Sequence, residues 1–171
     1  DSSYYGQAIV GTVSGTSMNF GSKLQFTTEN ISGSYAFKGN LLCYDTSAEK
    51  FLFLYQISSG DDGEGIVFTI SGTNVTAGSE TNLHDNWTNM NTIGKSDFGK
   101  IPMIYRNASN HTYYAEVTIT GTTPALSGEV ALNSGTTYHN GFSLDTTQGD
   151  IKLLATYEDS SNDLASTVII P

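Results

Sequence analysis

The chain has 171 residues, of which 14% are charged, and its 17 acidic residues against 7 Lys plus Arg give a net charge of −10. This balance argues against nucleic acid and anionic membranes as partners, because both are bound through basic patches. Hydroxyl and amide side chains replace the missing charge (22 Thr, 20 Ser and 13 Asn), and with 10 Tyr and 8 Phe they indicate an all-β surface protein.

The first predicted element is an uncharged strand in the sequence YYGQAIVGTVSG at positions 4–15. Its β-branched and aromatic residues favour a strand, and it contains no proline. One face carries Tyr5, Ile9 and Val13, and the other carries Tyr4, Ala8 and Val10. The softer residues 16–21 predict a linker. Such an apolar strand needs a partner, which is either the sheet of its own domain or that of another molecule.

The length of the chain suits a single domain, and after the N-terminal segment its residues predict short strands, since no helical periodicity is sustained. Residues 51–57 (FLFLYQI) are apolar on both faces and predict a central strand, which forms a hairpin with residues 66–71. The polar residues 72–99 predict a long loop. Further strands are predicted at 23–28, 34–44, 101–106, 113–120, 129–133, 137–144, 151–157 and 167–170.

We therefore expect a two-layer antiparallel β-sandwich, Ig-like or pilin-like, with an extended N-terminal strand. Asn140-Gly141 is either a tight turn or a bulge within one strand. The single cysteine, Cys43, lies in an apolar setting and is predicted to be a buried hydrophobic residue.

Asn-x-Ser/Thr sequons occur five times, against about three expected from the composition of the chain. All five fall in predicted turns or loops, where a glycosylating enzyme has access. We therefore predict N-linked glycans at Asn30, Asn74, Asn86, Asn107 and Asn110. No other cofactor is expected.

Catalytic and metal motifs are weak. The histidines lack zinc-ligand spacing, and no nucleophile motif or phosphate-binding glycine loop occurs. The clusters at 61–64 and 159–163 resemble fragments of calcium loops but are better interpreted as solvated turns. Glu116 and Glu129 have the chemistry of a glycosidase pair, although nothing favours them over ordinary strand residues. We expect a protein that is not an enzyme and holds no metal.

Aromatic residues allow a second interpretation, in which flat rings form a platform that stacks on sugars. The candidate rings belong to Trp87, Tyr105, Tyr113, Tyr114 and Tyr138. The alternative function is therefore a secreted, monomeric carbohydrate-binding or cell-surface β-sandwich.

The apolar strand at 4–15, the Ser/Thr/Asn-rich head, the sequons and the absence of a cysteine pair together resemble the thread pilins of thermoacidophilic archaea (Sulfolobales). In that family, glycosylated β-sandwich heads are joined head to tail, and the N-terminal tail of each subunit enters the next head as a strand. Bacterial chaperone–usher pilins work similarly, but their usual disulfide and characteristic C-terminal strand are not found here.

The resemblance implies an extracellular, cell-surface filament for adhesion or cell–cell contact, whose partner is a second copy of the chain and, beyond it, a host surface or other cells. It implies a donor segment and linker at 1–21 and a head at 22–171. The implied donor residues are Tyr4, Tyr5, Ala8, Ile9, Val10 and Val13. No run of 18 apolar residues occurs, so no membrane span is expected in the mature chain.

Overall fold

The computed structural model describes residues 5–31, 42–58, 62–85, 87–93, 99–145, 152–160 and 164–170. All regular structure in these residues is β-strand, paired antiparallel, which confirms the predicted all-β class. The described residues contain no helix of the length and apolarity needed to cross a membrane.

The N-terminal region forms two small sheets. One pairs β1 (Gln7–Ala8) with β4 (Leu24–Gln25), and the other pairs β2 (Gly11–Ser14) with β3 (Ser17–Phe20). The linker predicted at 16–21 is therefore wrong in its local structure, because residues 17–20 are the second strand of a hairpin.

A five-stranded sheet follows, in the order β5-β6-β7-β8, with β9 also paired to β7. Its strands are β5 (Leu42–Asp45), β6 (Lys50–Gln56), β7 (Gly63–Ser71), β8 (Asn74–Ala77) and β9 (Thr81–His84). The predicted hairpin of residues 51–71 is confirmed by the pairing of β6 with β7. The prediction of a long loop at 72–99 is wrong, because β8, β9 and a further strand, β10 (Trp87–Ile93), occupy much of this range.

The second large sheet has the order β10-β11-β12-β13, and the third has the order β14-β15-β16. Their strands are β10 (Trp87–Ile93), β11 (Ile101–Asn107), β12 (Thr112–Thr120), β13 (Thr123–Asn133), β14 (Thr137–Asp145), β15 (Lys152–Asp159) and β16 (Leu164–Ile170). The pairing of β14 with β15 shifts register between Tyr138 and Gly141, so Asn140-Gly141 lies in a bulge and not in a turn.

The main core lies between the five-stranded and four-stranded sheets. Cys43, Leu52, Leu54 and Val67 of the first sheet pack against Met103, Ala115 and Val117 of the second. Cys43 is buried, as predicted. On the other face of the four-stranded sheet, Ile104 and Tyr114 pack against Ala155 of β15. The three-stranded sheet therefore packs on the face of the four-stranded sheet that is turned away from the main core.

Candidate functional site

β6 is apolar on both faces, and this places a second hydrophobic surface on the side of the five-stranded sheet that faces away from the main core. On this outer face, Phe51 lies opposite Phe68, Phe53 opposite Ile66, and Tyr55 opposite Glu64. Tyr55, Ile66 and Phe68 are buried there in a cluster separate from the main core. A strand with two apolar faces requires a covering layer on each side.

The N-terminal region provides part of the outer layer. Ala8, Leu24 and Phe26 pack against the outer cluster. The ring of Phe26 meets three others edge-on, with centroid distances of 5.7 Å to Phe53, 5.8 Å to Tyr55 and 5.2 Å to Phe68. Such arrangements add about 0.5–1.5 kcal/mol per pair beyond the area that they bury. Phe26 is thus the anchor of this layer.

Gly6 fits closely beneath that anchor. A Cβ atom at this position would overlap the Phe26 ring and lie 2.9 Å from Cδ1 of Ile31. The Phe26 amide donates a hydrogen bond of 3.0 Å to the carbonyl of Gly6. Residues 5–8 are therefore complementary to this head, because the close contact at Gly6 requires glycine and includes a backbone hydrogen bond.

Beside this layer lies an open groove of about 840 Å³. One wall is formed by residues 5–11, and the floor and other wall come from Phe26, Ile31, Leu42, Phe51, Phe53, Phe68, Ile70 and Val75. None of the described residues that line the groove is charged. Leu42 and Ile70 are exposed large apolar side chains. The groove is the uncovered part of the outer face.

The predicted donor residues divide between covered and uncovered positions. Ala8 and Val10 are half-buried, whereas Tyr5, Ile9 and Val13 are exposed, Val13 by 69%. Tyr4 lies outside the described residues. The head thus covers the face of the segment that carries Ala8 and Val10. It leaves exposed the opposite face, which was predicted to carry Tyr5, Ile9 and Val13.

Sequence analysis missed the hairpin of residues 11–20, although a signal for it was present. Its turn is Gly15-Thr16, and the same Gly-Thr pair forms the turns at Gly72-Thr73 and Gly121-Thr122. The glycines have φ values of 62°, 61° and 63°, a conformation that favours glycine at the first central position of a two-residue hairpin loop.

The far end of the outer face is acidic. Glu64 is buried opposite Tyr55, and not in the solvated turn that sequence analysis predicted. Burial, followed by repulsion from Glu80, Asp62, Glu29 and Asp85, raises the pKa of Glu64 to about 7. Burial and Glu80 also raise the pKa of Tyr55. The described residues contain no group of three or more His, Cys, Asp or Glu arranged to hold a metal ion.

Three of the four sequons whose asparagine is described lie at turns. Asn74 begins β8 directly after the Gly72-Thr73 turn and is exposed. Asn107 and Asn110 flank the β11–β12 turn, where Asn107 Oδ1 accepts hydrogen bonds of 3.0 Å from the amides of Ser109 and His111. Asn30 is exposed, and Asn86 lies outside the described residues. Glycosylation at these positions stays a prediction.

The predicted aromatic platform is not displayed as a surface. Tyr105 is fully buried and Tyr114 nearly so, while Tyr113 stacks on Tyr105 at 5.5 Å. Of the candidate rings with described side chains, Tyr138 is the most exposed, at 42%, and Arg106 lies 5.3 Å from its centroid. These positions do not form the flat surface that sugar stacking requires.

The two candidate glycosidase carboxylates have other partners. Glu116 accepts hydrogen bonds from Lys100 at 2.7 Å and from the Tyr114 hydroxyl at 3.0 Å. Glu129 accepts one from Tyr105. Burial and this hydrogen bond raise the pKa of Tyr105. Each carboxylate is engaged with the phenol of a buried tyrosine.

Comparisons with known proteins do not identify a relative: no family model, no curated protein and no solved structure matches the chain.

Proposed function

We propose that the chain is the structural, non-enzymatic subunit of an extracellular filament. Each subunit joins the next by placing its N-terminal segment in the groove on the outer face of the neighbour's five-stranded sheet. The observation that carries this proposal is that one chain presents both an uncovered apolar segment and an uncovered apolar groove. Addition of a strand or ribbon to an incomplete sheet layer is a common mode of protein–protein recognition.

Burial energies support a durable contact. Each large apolar side chain removed from water contributes about 1.5–3 kcal/mol, so Ile9 and Val13 together contribute roughly 3–6 kcal/mol. Main-chain hydrogen bonds add to this, and association costs several kcal/mol in return. The segment and the groove are different surfaces, so the contact does not close on itself and produces a chain of subunits.

Composition supports a location outside the cell. Few charges and many hydroxyl and amide groups give a polar exterior that does not depend on ionisation, and N-linked glycans at the sequons would extend it. The exposed side chain of Asn74 precedes the groove residue Val75 on β8. Because alternate residues of a strand face opposite sides, a glycan at Asn74 points away from the groove and leaves it open.

Electron microscopy and gel electrophoresis test assembly directly. Purified full-length protein should form thin filaments in negative stain and an unboiled ladder of oligomers. Deletion of residues 1–21 should abolish both, whereas deletion of residues 1–4 alone should retain them. A full-length protein that stays monomeric at high concentration, with stability unaffected by deletion of residues 1–21, would contradict the proposal.

A further inference from the structure

The β2–β3 hairpin is a ribbon with two different faces. Its register places Val13 opposite Met18 and Gly11 opposite Phe20. Opposed residues share a face, and successive residues alternate between faces. One face therefore carries the apolar side chains of Val13, Met18 and Phe20. The other carries only hydroxyl and amide groups, from Thr12, Ser14, Ser17 and Asn19.

Both faces of this ribbon are uncovered in the single chain. All ten residues from 11 to 20 are exposed, with Met18 at 56% and Phe20 at 62%. An isolated two-stranded hairpin is at best marginally stable in water, so its apolar face requires a covering surface.

The base of the hairpin is fixed to its own head. The Gly21 amide donates a hydrogen bond of 2.9 Å to the Val10 carbonyl, which closes the ribbon. At Gly21 a Cβ atom would overlap the carbonyl oxygen of Thr73, so the base packs against the β7–β8 turn. The pairing of β1 with β4 attaches the chain before the ribbon, and the contact of Gly21 with Thr73 attaches it after the ribbon. The ribbon between these two attachments extends from the head.

Charge favours a second copy of the chain as the covering partner. Two copies that each carry a net charge of −10 repel one another, and they associate best through surfaces that bear no charge. Residues 5–22 contain no charged side chain, and neither does any described residue that lines the groove. The ribbon and the groove are thus matched in polarity, and neither brings a carboxylate into the contact.

We infer that the apolar face of the β2–β3 hairpin, and not a single extended strand, is the element that occupies the groove of the next copy. Val13, Met18 and Phe20 pack on the side of the groove that Ile70 borders, while residues 5–8 remain on their own head. The polar face of the ribbon then becomes the outer surface of the completed layer. This inference rests on the proposed function and specifies its contact.

Cysteine cross-linking between two populations of full-length protein tests this arrangement. In a Cys43→Ala background, one population carries Val13→Cys or its polar-face control Thr12→Cys. The other carries Ile70→Cys or its control Ser71→Cys, which lies on the opposite face of β7. The populations are mixed, allowed to assemble and treated with a short bis-maleimide, and mixed dimers are identified by mass.

The expected result is a several-fold higher yield of mixed dimer from V13C with I70C than from any pair that contains T12C or S71C. If the Cys43→Ala protein forms filaments but the four pairs cross-link equally, or the polar-face pair predominates, the hairpin inference is overturned while the proposed function stands. If neither the wild-type nor the Cys43→Ala protein assembles, both are overturned.

Discussion

Both faces of the five-stranded sheet are apolar, but other elements of the chain cover them to different extents. The inner face, with Leu52, Leu54 and Val67, is sealed by the four-stranded sheet, and these three side chains are fully buried. The outer face is richer in aromatic rings, and among the described residues Ala8, Leu24, Phe26 and Ile31 pack over it, with a groove beside them.

The inner face completes the fold of the head, whereas the outer face is the surface that the proposed function uses for assembly. Exposed apolar patches on monomeric proteins are normally limited in size, and larger ones mark interaction sites. Here the outer groove and the projecting hairpin are two such patches on one chain. The inner face should therefore determine the stability of the head, whereas the outer face should determine association.

The largest expected effect on stability comes from the inner face. Leu54→Ala removes a fully buried side chain, and we expect it to lower the free energy of unfolding by about 2–5 kcal/mol. Its matched control is Ile70→Ala on the outer face, where 40% exposure predicts a loss below about 1 kcal/mol. Urea denaturation of the monomeric protein measures both, and equal losses would contradict the comparison.

The next effect is a dependence on pH at the acidic end of the outer face. The pKa of Glu64 is raised to about 7 in the folded chain from 4.5, so the folded state binds this proton more tightly than the unfolded state. The free energy of unfolding is then greatest below pH 4.5 and falls as the pH rises from 4.5 to about 7. Above about pH 7 it levels off. The total loss should be on the order of 2–3 kcal/mol.

Glu64→Gln tests this assignment, because a neutral amide removes the titration. Chemical denaturation of the wild type and the variant across this pH range should show the decline in the wild type and a much flatter profile in Glu64→Gln. An unchanged slope in the variant would assign the pH dependence to other groups. Glu80→Gln should flatten the slope less, since burial and three other carboxylates still raise the pKa of Glu64.

A smaller effect is expected where the N-terminal segment joins the outer face. Gly6→Ala places a methyl group against Phe26 and Ile31, and such overpacking costs about 1–3 kcal/mol. The Phe26 amide, which donates to Gly6, should lose protection from hydrogen exchange. Gln7→Ala is the control at an exposed position, and equal loss of protection in both variants would argue against the close fit at Gly6.

The smallest effect on stability should accompany a large effect on assembly. Phe20→Ser changes an exposed residue, so the free energy of unfolding of the monomer should change by no more than about 0.5 kcal/mol. Filament yield should nevertheless fall strongly, because the apolar face of the hairpin is interrupted. Asn19→Ser, on the polar face, should leave filament yield unchanged. Normal assembly by Phe20→Ser would mean that the hairpin face is not the contact.

Much of the head could be predicted from the sequence because strand patterns are local. The continuous apolar run at residues 51–57 identified β6 as a central strand with two apolar faces, and the structure places it between β5 and β7. Runs of β-branched and aromatic residues likewise located β11, β12, β14 and β15 to within a few residues. The loop predicted at 72–99 was wrong because short polar strands carry little hydrophobic signal, and pairing with β7 stabilises β8 and β9.

The N-terminal segment shows the limit of local patterns. Its composition correctly indicated strands that need cover, and its uncharged character followed directly from the residues. The segment was predicted as one strand and a linker, although Met18 and Phe20 alternate with Ser17 and Asn19 after the turn. The Gly15-Thr16 pair was the available signal for a hairpin turn, and its meaning became clear from the equivalent turns in the head.

The sequence by itself determined the strand class, the two apolar faces of β6 and the absence of charge from residues 5–22, since each follows from residue type and a period of two. Only the tertiary structure decided which of the two faces is sealed, where Phe26 anchors the N-terminal layer, and that a groove stays open beside it. Those outcomes depend on how distant strands pack together, and packing over long sequence separations leaves no periodic trace in the chain.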